Sequence, residues 1–133
     1  MPATPGNWRY ILLHGTKAVG VAELFERSET DGSALEFAGL YETCFSSETL
    51  EALHEVEKLP QVQKQDYELR FLEVPAISFV AVWLHGRSND IIIPLPPAFG
   101  RKLNAYQPYS EAQIVEVLEP EAKEVMKAPD LIR

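Results

Sequence analysis

The stretch that decides the fold is Tyr67–Leu84, YELRFLEVPAISFVAVWL. It is dense in β-branched and aromatic residues, which fit a pleated surface better than a helix. From Ile77 to Leu84 every position except Ser78 is apolar, so neither face of that run offers polar groups to water. Such a strand belongs in the middle of a sheet with both faces covered. Val80, Val82 and Trp83 are therefore expected in the core. Pro75 divides the stretch into two strands, Tyr67–Val74 and Ala76–Leu84, because proline cannot donate to the ladder and marks a turn or bulge. The connection GRSND then leads into a third strand, Asp90–Ile93, which Pro94 ends.

Upstream, the same period of two recurs. Trp8, Tyr10 and Leu12 alternate with Arg9, Ile11 and Leu13 up to His14-Gly15. A second run, Ala18–Glu26, sets Val19, Val21 and Phe25 on one side. Asp31-Gly32 is a strong hairpin-turn signal. The return strand, Leu35–Thr43, places Leu35, Phe37 and Tyr41 on one face and Glu36 and Glu42 on the other, the pattern of a sheet wet on one side.

Helical spacing takes over at Ser46-Ser47, where a serine can cap the new helix and Glu48 and Glu51 complement its dipole. Leu50, Leu53, Val56 and Leu59 form the predicted apolar stripe, and Pro60 stops it. Further on, Ser110 with Gln113 makes a capping box opening a second helix, with Ile114, Val117 and Leu118 inward and a kink or restart at Pro120. The element order is βββα-βββα. The predicted fold class is α+β, a largely antiparallel sheet of about five to six strands with two helices packed on one face. Residues 1–7 read as a flexible lead-in and 8–133 as one domain.

A chain of 133 residues can bury its own core. It has no apolar run of about 18 residues, so no membrane span is expected. The amino terminus lacks the basic and apolar segments of a signal peptide. The single cysteine, Cys44, cannot form an internal disulfide, which makes a reducing, cytoplasmic setting the expectation. Net charge is −8, unevenly spread: Glu23–Glu57 carries −9, whereas Lys58–Ser110 carries +2. A phosphate backbone would be repelled by the first segment and hardly attracted by the second, so nucleic acid is not an expected partner.

No nucleophile-elbow serine, phosphate-binding glycine loop or Cys/His metal spacing occurs, so no catalytic residue, cofactor or metal is assigned. The reading leans away from an enzyme. His14 and His85 each sit in Leu-His-Gly at a strand exit, where histidine is usually a turn residue. His54 reads as a solvated ring. Cys44 lies two to three helical turns from His54, too far for a nucleophile–base pair, and reads as a structural thiol.

The loop Pro94–Ser110, PLPPAFGRKLNAYQPYS, is long for a connection inside a compact domain. Phe99, Arg101, Lys102, Tyr106 and Tyr109 supply the aromatic and cationic groups enriched at interfaces and are the candidate partner-binding surface. The competing reading has this loop cross the sheet edge and tuck its aromatics into the core. Two functions follow. The favoured one is a small cytoplasmic, non-catalytic binding or adaptor domain, engaging a protein partner or itself as a homodimer. The alternative is a ligand-binding or catalytic α+β domain whose sheet–helix pocket is lined by His14, Tyr67 and His85.

Overall fold

The computed structural model describes residues 6–29, 32–41, 45–97 and 102–127. Cys44, Glu42, Asp31, Phe99, Arg101 and most of the lead-in lie outside them. The chain divides into two compact units, residues 2–50 and 51–133, with the boundary inside the first helix. The architecture is α+β and every strand pairing is antiparallel. The strands are shared between two sheets, where the sequence reading had placed them in one.

The first unit holds a three-stranded sheet in chain order, β1 Trp8–His14, β2 Lys17–Glu29 and β3 Gly32–Tyr41. Gly15, at φ +65°, and Thr16 join β1 to β2. A positive φ at the first central position of a two-residue hairpin is what glycine provides without steric cost. β2 and β3 pair as far as Glu29 opposite Gly32. Two register shifts, at Val19 in β2 and at Ala38 in β3, each insert one extra residue.

Helix α1, Ser46–Glu57, begins at the serine pair where the change of spacing predicts a helix, with Phe45 rather than a serine supplying the first accepting carbonyl. Its buried positions are Ser46, Thr49, Ala52 and Val56, while Leu50 and Leu53 are only half-buried. The covered stripe thus corrects the predicted one by about one residue. The Thr49 hydroxyl donates to the Phe45 carbonyl, which satisfies it and lets it be buried. Pro60 ends this helix and occupies the first turn of a short one, α2 Pro60–Lys64, where its missing N–H is not needed.

The second unit contains β4 Tyr67–Val74, β5 Phe79–Gly86, β6 Asp90–Pro94 and β7 Tyr109–Ser110, ordered β4-β5-β6-β7. Pro75–Ile77 forms a single 3₁₀ turn between β4 and β5, closed by Ser78 in a left-handed conformation. Strand β5 is internal, as its sequence requires. Val82 and Trp83 are buried, and Val80 is half-buried. Helix α3, Glu111–Lys127, opens with the expected capping box: the Gln113 N–H donates to Ser110 Oγ at 3.2 Å and the Ser110 N–H to Gln113 Oε1 at 2.9 Å. Its Ile114 and Leu118 pack with Leu72, Phe79, Ala81, Trp83 and Ile92, so the space between helix and sheet is filled by side chains. On the opposite face Val82, Leu84, Ile91 and Ile93 are buried as well.

Candidate functional site

The loop residues come first, because the sequence pointed there. Phe99 and Arg101 lie outside the described residues. Lys102 is exposed, and the next residue, Leu103, is buried in the core cluster. Tyr106 is half-buried with φ 66°, and its N–H donates to the Pro94 carbonyl at 2.8 Å. Tyr109 packs against the core cluster while its hydroxyl oxygen accepts the Asn104 N–H at 2.8 Å. The described part of the loop is therefore laced to the sheet, and Lys102 is the member of the candidate set that it leaves plainly solvated.

Of the three candidate pocket groups, Tyr67 and His85 share a sheet and can be placed relative to one another. His14 belongs to the first unit and is exposed. Tyr67 pairs with Gly86, and His85 with Glu68, so Tyr67 and His85 point to opposite faces of their sheet. Tyr67 lies over Gly86, where an added Cβ would come within 2.7 Å of its ring and meet the Asn89 carbonyl. Its hydroxyl accepts from Gln65 Nε2 at 2.6 Å, and the same amide donates to Asn89 Oδ1 at 2.7 Å.

His85 belongs to a different cluster, centred on Asp90. That carboxylate, 10% exposed, accepts from Trp83 Nε1 at 3.0 Å and from the Gly86 N–H at 3.1 Å, and faces His85 Nδ1 at 3.1 Å. Burial pushes the Asp90 pKa up, but the hydrogen bonds from His85, Trp83 and Gly86, with the His85 charge, outweigh it and hold the carboxyl below its ordinary value. An ionised carboxylate only accepts, so Nδ1 of His85 carries the proton. The Trp83 ring stands edge-on to His85 and under the Arg70 guanidinium, which lies 5.0 Å from its centroid and pairs with Glu68 at 3.0 Å. The aspartate is thus a peg between two strands. A histidine oriented by a carboxylate also suits proton transfer, but among the described residues no serine, threonine or cysteine hydrogen-bonds to it.

Beside the peg runs an open groove of about 720 Å³, bordered by Asn89 and Asp90 and by Ser110, Glu111, Val115 and Glu116. A smaller dent of about 440 Å³ lies between Ile77 and Pro120. Both are open depressions over the filled sheet–helix interface. Among the described residues no group of three or more His, Cys, Asp or Glu side chains could hold a metal ion.

The feature that sequence reasoning missed is the outer face of the three-stranded sheet. Directly opposed residues share a face. One row runs Trp8–Leu24–Phe37, the next Tyr10–Ala22–Leu40, and a third begins with Leu12–Gly20. Trp8 is 49% exposed, Tyr10 47%, Phe37 63% and Leu40 62%. The opposite face is the covered one. It carries Val21, at 0% exposure, half-buried Ile11 and the Arg9–Glu23 ion pair at 3.0 Å. This corrects the expectation that Phe37 faces inward. Mutual neutralisation of Arg9 and Glu23 lets a charged row be covered. The signal was present in the alternation of β1, but alternation separates two faces without saying which is wet.

Compared with family models, curated proteins and solved structures, the chain matches none of them. Among the described residues no helix is long and apolar enough to cross a membrane.

Proposed function

We propose that this chain is a cytoplasmic, non-catalytic binding domain that acts through contact with a protein surface. The observation that carries this reading is the set of three uncharged rows, Trp8–Leu24–Phe37, Tyr10–Ala22–Leu40 and Leu12–Gly20, on the outer face of the β1–β3 sheet. Its exposed aromatic and leucine side chains amount to on the order of 500 Å² of apolar surface, taking full side-chain areas of about 150–250 Å². Scattered surface leucines need no explanation, but a contiguous patch of this size marks an interaction surface. Trp and Tyr are also the residues that most often anchor interfaces. The packing of Ile114 and Leu118 of α3 against Leu72, Phe79, Ala81, Trp83 and Ile92 supports the same reading, since side chains occupy the space between sheet and helix among the described residues.

The second reading, a ligand-binding or catalytic domain, draws on the groove beside Asp90 and the oriented His85. Among the described residues no serine, threonine or cysteine hydrogen-bonds to that histidine, and the groove is open.

Side-chain footprinting of the full chain, once purified and dilute and once inside the host cell, tests the proposal. Trp8, Tyr10 and Phe37 should be labelled in dilute solution and protected in the cell, while exposed Leu69 on β4 is labelled in both. Equal labelling of the face in the two settings would remove the binding reading.

A further inference from the structure

Resting on that reading of the face, we propose that its occupant is a second copy of this chain, packed sheet against sheet across a two-fold axis. Shape is the first argument. The flanking strands carry large side chains, Trp8, Tyr10 and Leu12 on β1 and Phe37 and Leu40 on β3. The central strand presents Gly20, which is buried, and half-buried Ala22. The face is therefore a trough between two ridges, closed at one end by Leu24. A surface of this form complements itself, because a ridge of one copy fills the trough of the other and the two-fold repeats the contact. Facing sheets pack in this way about 10 Å apart, with their strands rotated by about 30°.

Area is the second argument. Two such patches together remove on the order of 1,000 Å², the least that a specific interface needs. A larger partner surface is not required to cover what is exposed.

Charge is the third. Every side chain in the rows is uncharged, whereas the whole chain carries −8. Pairing through this face keeps like charges out of the centre and leaves repulsion only between the rims and bodies of two acidic molecules. Salt screens that repulsion, so added salt should tighten the dimer. A basic partner held by the acidic chain would instead be released by salt, and an anionic bilayer would be repelled from the outset.

Sedimentation velocity of the purified full chain at micromolar concentration decides the matter. The expected species has twice the 15.0 kDa chain mass, and its dissociation constant falls as sodium chloride is raised. Phe37→Glu and Leu40→Glu each place carboxylates against a dry copy of the same face, and should weaken the dimer on the order of a hundredfold. Leu69→Glu, on a side chain 52% exposed in the other unit, should leave it unchanged. Thermal melts of the three variants, run dilute enough that wild type too is a single chain, should coincide with wild type, because each replaced side chain is then half or more in water.

A wild-type chain that sediments at 15.0 kDa throughout overturns the proposal, as does a dimer that survives both Phe37→Glu and Leu40→Glu. A 15.0 kDa chain that pellets with phosphatidylcholine vesicles, and no longer does so as Phe37→Glu, also overturns it and names lipid as the occupant. If the chain is monomeric yet its face is protected in the cell, only the identity of the partner fails and the binding reading stands.

Discussion

The two sheets of this molecule are written in the same residues and put them to opposite uses. In the middle of the four-stranded sheet, Trp83 is 5% exposed, Ile92 0% and Val82 1%, so the centres of β5 and β6 are dry on both faces. In the three-stranded sheet, Trp8 and Phe37 stand half or more in water while an ion pair occupies the covered side. Strand propensity is equal in the two. What differs is the cover of each face: α3 packs on the second unit's sheet, whereas Trp8, Tyr10, Phe37 and Leu40 of the first unit stand about half or more in water. Hydrophobic alternation thus reports that a face exists and is silent about whether the same chain covers it.

The widest contrast should be seen in the tryptophans. Trp83→Ala removes the centre of a packed cluster and should cost about 3–5 kcal/mol by urea denaturation. Trp8→Ala should change the stability of the dissociated chain by less than about 1 kcal/mol, since surface positions rarely matter more. Equal effects would erase the distinction between the sheets. Next in size is Gly86→Ala, which drives a methyl into the Tyr67 ring and the Asn89 carbonyl. Overpacking of this kind costs about 1–3 kcal/mol, and a thermal melt at unchanged midpoint would show that the β4–β5 contact is loose.

Asp90→Ala strands the Trp83 indole N–H and the Gly86 N–H, for about 1–3 kcal/mol. The charge itself has a pH signature. The folded pKa of Asp90 lies below the ordinary 3.8, so its stabilisation is complete above that value and is lost as pH falls through the folded pKa. Acid titration of wild type against Asp90→Asn should show the wild-type advantage shrinking in that window only. A constant gap would mean that geometry, rather than charge, holds the hairpin. A smaller loss than at Trp83, Gly86 or Asp90 belongs to Ser110→Ala, which removes one half of the α3 capping box for about 1 kcal/mol.

Legibility followed the same division. The central strand could be read because eight residues with no polar face have only one place to go, and Ser110 with Gln113 could be read because a capping box is local. The order of β1–β3, α1, β4–β6 and α3 was likewise visible in turn chemistry at Gly15 and Pro75, whereas the short α2 and the two-residue β7 were not. The partition into two sheets was not, because pairing partners are set by tertiary contacts that no short window contains. The inverted face of β1–β3 needed the register that brings Arg9 to Glu23. The α1 stripe was displaced because spacing arguments weight Leu50 and Leu53, while a hydroxyl satisfied by its own backbone, as in Thr49, can be buried in their place. The candidate loop was legible as a long connection. Its lacing through Leu103, Tyr106 and Tyr109 depends on backbone bonds to Pro94 and Asn104 that composition does not encode.

The chain has two tryptophans, and each unit contains one. In the dissociated chain Trp8 should emit at long wavelength and yield to acrylamide, whereas Trp83, dry and hydrogen-bonded to a carboxylate, should emit to the blue and resist the quencher. Quenching-resolved emission therefore follows the melting of each unit separately without any added label. It would reveal directly whether the two sheets unfold as one cooperative block or in sequence.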